Sequence, residues 1–339
     1  MQKPVIHIVP KLSNGGAENV LVNLSRGLSK TKKQIIIILE GSPKDYLFDS
    51  ANEFATIYFF SQNKDKVIDC LSQNNNSSII CWMYKSIFWI EKYTLKHKIR
   101  FKYVYWNIRH SSFGNYQIKQ KFFLLLMGFY SQIVRPRIIY CGYESKRYHD
   151  RYFFFKKKSK VITNGLAKKI PIDIKNFKQY NETYLYVGRY DYIKGPDILM
   201  EIFNKISVKF PQSKLLVAGS GWDKNKIPPH LKKNVLLLGN FDKVFDLYNS
   251  VKALLFTSRS EGYPNVIVEA SVVGCPIFAL KSGDTSEILN HNELGFVFNS
   301  KNEMSYFLIK NYFTDFNTKR KDVIKITREV FDFKKTIND

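Results

Sequence analysis

The residue types best suited to chemistry fall in four short segments, of which the most specific is Ser258-Arg259-Ser260-Glu261-Gly262-Tyr263-Pro264-Asn265-Val266-Ile267-Val268-Glu269-Ala270. Pro264 suits the first turn of a helix, so Glu261 belongs to the loop ahead of it and Glu269 lies about a turn and a half inside. Two carboxylates and a set of unpaired helix amides then converge on one pocket. The helix start suits phosphate or sugar hydroxyls, and Glu269 can accept both hydrogen bonds of a ribose diol. The bland alternative is a surface helix with two solvated acids.

A second segment runs Tyr184-Leu185-Tyr186-Val187-Gly188-Arg189 and on to Lys194-Gly195. An Arg and a Lys bracketing a strand-to-helix turn form a diphosphate clamp, the guanidinium as a fork and the ammonium as a point charge. Two solvated loop cations are the alternative. Downstream, Ala218-Gly219-Ser220-Gly221 would let backbone approach a nucleotide. The third segment, Ser13-Asn14-Gly15-Gly16-Ala17-Glu18, is a tight turn or a loop that presents helix amides to an anion; it is not G-x-G-x-x-G. The fourth is Asn107-Ile108-Arg109-His110-Ser111-Ser112, where the neighbouring cation would favour a neutral imidazole at His110. His110 then either hydrogen-bonds a substrate hydroxyl or is a surface histidine of a basic loop.

These segments need elements to hold them. Short Ile, Val, Leu and Tyr runs alternate with longer amphipathic stretches, the pattern of parallel sheets connected by helices. Strands are expected at residues 5–9, 34–39, 78–82, 103–108, 137–141 and 161–163, and again at 184–188, 214–218, 235–238, 253–256, 276–280 and 295–298. The expected fold class is therefore α/β, two Rossmann-like doubly wound domains, with all four segments at the carboxyl ends of strands where such sheets bind ligands. Residues 166–180 have no convincing period and read as the linker, dividing the chain into 1–168 and 169–339.

Composition narrows the classes. With 339 residues, 45% apolar, the chain is neither fibrous nor disordered, and its length suits two domains. Cys70, Cys81, Cys141 and Cys275 are scattered, without metal-ligand or C-x-x-C spacing, and read as reduced thiols. The N-terminal apolar stretch is broken by Pro10 and Lys11 and reads as a first strand of a chain starting at Met1, not as a secretory segment. The net charge is +24, and residues 1–165 hold +17 of it. Such a field attracts nucleic acid, anionic membranes and phosphorylated small molecules alike.

Together, the Gly-Gly-Ala-Glu loop, Val187-Gly188-Arg189 with Lys194-Gly195, and the Glu261 and Glu269 pair resemble the retaining glycosyltransferases of family 4, which have the glycosyltransferase B fold. The resemblance covers nearly the whole chain in order and implies two Rossmann-like domains facing across a cleft. It implies that Arg189 and Lys194 bind the donor diphosphate, that Glu269 binds its ribose, and that Glu261 lies against the transferred sugar with the backbone of Gly262, Tyr263 and Asn265. It further implies that Gly15 and Gly16 approach the diphosphate, and that His110 is the active-site histidine near the reacting carbon. The Asn107 to Ser111 stretch is most similar to enzymes that extend oligosaccharides on polyprenyl diphosphate carriers, often from a UDP-linked N-acetylhexosamine. Two departures are visible: the chain ends soon after Phe331-Asp332-Phe333, which shortens the final helix, and Cys141-Gly142 replaces a small hydroxyl residue.

The resulting expectation is a cytoplasmic, peripherally membrane-associated enzyme that moves a hexose or N-acetylhexosamine from a UDP-sugar to a lipid-linked oligosaccharide or polysaccharide precursor, with retention. No Asp-x-Asp pair accompanies the motifs, so no essential metal or other cofactor is expected, and no nucleic-acid partner. The rival is a basic nucleic-acid- or membrane-binding protein on an inactive scaffold, supported by the +17 of residues 1–165. The apolar run at residues 122–130 is flanked by Lys119, Lys121, Arg135 and Arg137, with Lys96, Lys98, Arg100 and Lys102 as another cluster. It reads either as a face lying on an anionic membrane or as a core helix of the first domain.

Overall fold

A computed structural model describes residues 3–13, 15–110, 118–166, 180–241, 243–316 and 319–338. The chain divides into two compact units, and in each a parallel sheet is covered by the helices that connect its strands. The first unit runs β1 (Val5–Val9), α1 (Gly16–Leu28), β2 (Gln34–Ile38), α2 (Phe48–Asn52), β3 (Ala55–Phe59), α3 (Lys64–Gln73), β4 (Ser78–Trp82) and α4 (Met83–His97). It continues with β5 (Tyr103–Ile108), α5 (Ile118–Val134), β6 (Arg137–Tyr140), α6 (Tyr143–Asp150) and β7 (Ser159–Val161). The second unit runs β8 (Tyr180–Val187), α7 (Pro196–Lys209), β9 (Lys214–Ala218), β10 (Val235–Gly239), α8 (Val244–Ser250), β11 (Val251–Phe256) and α9 (Asn265–Val272). It closes with β12 (Ile277–Leu280), α10 (Thr285–Leu289), β13 (Gly295–Phe298), α11 (Lys301–Lys310) and α12 (Arg320–Val330). The last helix, α13 (Phe333–Asn338), groups with the first unit, whereas the division of the sequence at 168 had assigned it to the second domain.

The seven-stranded sheet has the order β3-β2-β1-β4-β5-β6-β7 and the six-stranded sheet β10-β9-β8-β11-β12-β13. Every described ladder is parallel, and β1, β2 and β11 are buried along their whole length and mostly apolar, interrupted only by His7, Gln34 and Lys252, because both of their faces are covered. The order reverses between β1 and β4 in one sheet and between β8 and β11 in the other, and ligands bind such sheets at that crevice. The expected α/β class with two doubly wound sheets is what the chain adopts. The edge strand β3 escaped the sequence reading because its run, Ala-Thr-Ile-Tyr-Phe, is only partly buried and carries no turn signal of its own. Most of the expected linker, residues 167–179, lies outside the described residues.

Small residues set the close approaches. Thr336 on α13 donates its hydroxyl to the Thr163 carbonyl at 3.0 Å and accepts from the Gly165 amide at 2.8 Å. A Cβ on Gly27 would stand 2.5 Å from Ile337, so glycine lets α1 receive α13.

Candidate active site

In the second unit the candidate residues gather where the strand order reverses. β8 ends at Val187, and the chain passes through Gly188, Arg189 and Tyr190 into a 3₁₀ turn at Tyr192–Lys194 before α7. Asp191 makes that turn: its Oδ1 accepts from the Ile193 amide at 2.9 Å, while its Oδ2 lies 3.3 Å from Nε of the exposed Arg189. Gly195 then adopts φ +65°, a region where a side chain is strained, and a Cβ there would sit 2.2 Å from the Thr257 carbonyl at the end of β11. Thr257 answers with its hydroxyl, which donates to the Gly195 carbonyl at 3.0 Å. The two strand ends on either side of the crevice are thus stitched together by backbone and one threonine.

Lys194 reaches across this seam. Its Nζ lies 2.5 Å from Glu261 Oε1, with both side chains largely shielded from water. Arg259, to which sequence reasoning gave no role, braces the same turn. Its amide donates to the Ile193 carbonyl at 2.7 Å, and its guanidinium donates to the Tyr192 carbonyl and to both carboxylate oxygens of Asp197, while lying 4.1 Å from the centre of the Tyr192 ring. The pair lowers the Asp197 carboxyl and raises the Arg259 guanidinium, each mainly through their hydrogen bond.

Helix α9 begins at Asn265 with Pro264 as its N-cap, one residue later than expected, because Pro264 holds an extended ψ of 98°. Gly262 and Tyr263 are buried ahead of it, and a Cβ on Gly283 would come within 2.4 Å of the Glu261 carbonyl, so the loop after β12 fixes that backbone from beneath. Glu269 stands on α9, where the hydroxyl of fully buried Tyr248 donates to its Oε2 at 3.1 Å. Burial, reinforced by Glu269, pushes the Tyr248 phenol well up, so the phenol stays a donor. Beside β8, Gly219 at φ +147° admits the Gly188 carbonyl to 2.2 Å of where a Cβ would be, which keeps the Gly219-Ser220-Gly221 loop against Arg189. The structure therefore brings Lys194 and Glu261 into contact, places Arg189 on the same loop with its own carboxylate partner, and holds Glu269 through Tyr248.

In the first unit, Gly15 is the N-cap of α1 and Gly16 its first residue. The Asn19 side chain donates to the Gly15 carbonyl at 2.9 Å, and a Cβ on Gly15 would collide with the Glu18 carboxylate. His110 follows β5. The expectation that Arg109 would keep His110 neutral is corrected: Arg109 lies over the Trp82 ring at 5.6 Å and donates to Asn164 at 2.5 Å. Burial first, and the neighbouring His149 second, bring His110 down to about 3. The imidazole is neutral all the same, for a different reason.

Sequence reasoning missed what holds His110. The Ser145 hydroxyl donates to the His110 carbonyl at 2.6 Å, and the Ser145 carbonyl accepts from His149 Nδ1 at 2.7 Å. His149 Nε2 in turn accepts from the Tyr84 hydroxyl at 2.5 Å, and the Tyr84 and His110 rings meet edge to face at 5.1 Å. No spacing signal announces such partners, which come from α4 and α6. Among the described residues no group of three or more His, Cys, Asp or Glu is arranged to hold a metal ion.

Comparison with known proteins fits this geometry. Residues 169–330 match the family model described as glycosyl transferases group 1. An uncharacterized glycosyltransferase of Methanocaldococcus jannaschii is 25% identical over 194 residues, 52% of this chain, and the match spans about half of that relative, 48%. The capsular polysaccharide biosynthesis glycosyltransferase CapH of Staphylococcus aureus is 22% identical over 84% of this chain and 83% of its own length. Among solved structures, that of Anabaena HepE in complex with UDP and glucose superposes with a TM-score of 0.79 at 17% identity, covering 99% of this chain and 98% of its own. That likeness shows the glycosyltransferase B fold.

Proposed function

We propose that this chain, which matches the group 1 glycosyl transferases over residues 169–330, transfers a hexose or N-acetylhexosamine from a UDP-sugar to a lipid-linked oligosaccharide or polysaccharide precursor, with retention, as family 4 enzymes do. The observation that carries the reading is the contact of Lys194 with Glu261 across the point where the strand order reverses, beside Arg189 and the start of α9. Cations and the start of a helix there suit a diphosphate, and a nearby carboxylate suits sugar hydroxyls. The relatives lend support: CapH is a capsular polysaccharide glycosyltransferase, and HepE holds UDP and glucose.

Cleavage of the donor leaves an oxocarbenium-like sugar and a nucleoside diphosphate. Arg189, Lys194 and the amides of Asn265 and its neighbours stabilise the charge that develops on the departing phosphate, which is where such a site gains most. In the first unit, Gly15 and Gly16 at the start of α1 are assigned to an anionic group of the donor. Glu269, oriented by Tyr248, takes the ribose diol. Glu261, with Gly262, Tyr263 and Asn265, positions the sugar and is not a covalent nucleophile, since the acceptor attacks from the face the phosphate leaves and the phosphate takes its proton. The neutral His110 hydrogen-bonds a sugar hydroxyl and carries no charge to the reaction. No essential metal is needed where the cations neutralise the diphosphate, and the enzyme works peripherally at the cytoplasmic face of a membrane.

Incubation with a panel of nucleotide sugars, following nucleotide release with and without lipid-linked acceptor, tests the reading. UDP release from one or a few UDP-sugars is the expected result. No release from any donor, together with tight RNA binding, would replace it with the inactive-scaffold alternative.

A further inference from the structure

The apolar run on α5 is buried on one face only. Its buried residues, Leu124, Met127, Gly128 and Ser131, form one face, while Ile118, Phe122, Leu126, Phe129 and Ile133 recur at spacings of three and four on the opposite face and are exposed. The outermost, Ile118 and Ile133, expose 87% and 80% of their surface. α5 contains no acidic residue, and at 100° per residue Lys119 and Lys121 fall on either side of the stripe.

A second segment extends this face. Gly128 lets the turn after α6 come so close that a Cβ would overlap the Tyr152 carbonyl oxygen. The Ser131 hydroxyl accepts from the Phe155 amide at 2.8 Å, and Gln132 donates to the Phe153 carbonyl at 2.5 Å. The docked turn forces Phe153 to φ +61°, a strained conformation for an aromatic residue, and its exposed ring stacks on Phe129 at 5.3 Å. Arg151 precedes it, and Lys156, Lys157 and Lys158 follow, all exposed. Arg137, counted from sequence among the flanking cations, is instead laid over the Tyr103 and Tyr105 rings.

We propose that the α5 stripe and Phe153 dock this protein on an anionic lipid bilayer, the apolar side chains entering the headgroup boundary and the surrounding cations meeting lipid phosphates. The charge decides among occupants. A second copy of this chain would bring the same uncompensated cations against one another, whereas an anionic surface satisfies them all. A strained, exposed aromatic held to α5 by the Gln132 hydrogen bond and the Phe129 ring is a feature that solvent exposure alone does not call for. No described helix is long and apolar enough to cross a membrane, so this face would lie on the bilayer. The inference deepens the reading that the acceptor is lipid-linked, by naming the surface on which that acceptor is met.

The test uses the full chain without any nucleotide sugar, so its failure leaves the transferase reading standing and a failed transferase assay leaves this one. Sedimentation with phosphatidylcholine vesicles is compared with vesicles containing about one third phosphatidylglycerol. Binding is expected only to the anionic vesicles and is released by about 0.5 M salt. Phe122→Ser with Phe153→Gly, and separately Lys157→Glu with Lys158→Glu, should each lower partitioning by about tenfold or more. Neither pair should lower the melting temperature, and glycine at 153 relieves the backbone strain. Equal binding to both vesicle types, no binding at low salt, or binding that neither pair of substitutions weakens would overturn the proposal. Self-association abolished by the aromatic substitutions, without vesicle binding, would overturn it in favour of a protein interface.

Discussion

Lys194 and Glu261, carried by the ends of two adjacent strands, meet at 2.5 Å with both side chains largely withdrawn from water. The ammonium assigned to the diphosphate is thus held by the carboxylate assigned to the sugar. Donor binding must exchange one partner for another, and the two side chains act as a unit.

We predict from this that Lys194→Ala weakens UDP binding and transfer by roughly tenfold to a hundredfold, the range of one charged hydrogen bond. Glu261→Ala should slow turnover while leaving UDP affinity equal or higher, because it releases Lys194. The double variant should cost less than the two single variants combined. Isothermal titration with UDP and steady-state transfer rates measure both; strictly additive effects would mean that the ion pair plays no part in donor binding. Arg189→Ala, whose guanidinium is more exposed and paired at 3.3 Å, should lose less than Lys194→Ala.

The second prediction concerns Glu269 and Tyr248. If Glu269 holds the ribose, Glu269→Ala should bind UDP and 2′-deoxy-UDP about equally, whereas the unaltered protein should prefer UDP. Tyr248→Phe removes only the hydroxyl that fixes Oε2 at 3.1 Å, and should raise the donor KM severalfold with little change in kcat. Persistent discrimination between the two nucleotides in Glu269→Ala would assign the ribose to another group.

Much of this was legible because the chemistry sits where apolar runs stop. Val187-Gly188-Arg189 and Ser258 to Ala270 both lie at or beyond the ends of short, mostly apolar runs, Tyr184 to Val187 and Ala253 to Phe256, so those ends can be read directly. The partners that tune the site could not be read. Tyr248 reaches Glu269 from α8, Arg259 reaches Asp197 across the strand order, and Tyr84 and His149 meet near His110 from helices far apart in sequence. These contacts are fixed by the packing of helices on a sheet, and pattern within any one segment does not encode them. The neutral His110 shows the same limit: the sequence neighbour Arg109 pointed to the right protonation state, but the structure turns Arg109 toward Trp82 and Asn164.

A third prediction separates conformation from space. Gly195 and Gly239 both have positive φ, +65° and +64°, yet a Cβ would strike the Thr257 carbonyl at 2.2 Å in the first and meets nothing within 4 Å in the second. Gly239→Ala should therefore cost only the backbone term, about 1 kcal/mol. Gly195→Ala should cost about 3 kcal/mol or more and also impair transfer, since it displaces the loop carrying Lys194. Thermal melts of the two variants, read beside their activities, test this; equal losses would show that the β8 to β11 seam yields easily.

The last prediction is a pH dependence of stability. His7 is fully buried on β1, where it accepts from Trp82 Nε1 at Nδ1 and donates from Nε2 to Gln34, both at 3.1 Å. Burial brings it down to about 4, against which the Gln34 bond works only partly, and burial likewise brings His149 to about 4. An unfolded histidine titrates near 6.5, so below that pH the unfolded chain binds protons that these two sites, and His110 at about 3, refuse. Their neutral-state stability is present in full above about pH 6.5 and is lost as pH falls from there toward about 4, by about 2 kcal/mol for each group at pH 5. Urea unfolding between pH 7.5 and 5 should show this slope. His149→Asn should reduce the slope by close to one proton, whatever it does to the absolute stability, while retaining the loss due to His7 and His110. A slope unchanged by that substitution would mean that His149 takes up its proton in the folded state, through opening of the Tyr84 and Ser145 contacts that now fill both its nitrogens.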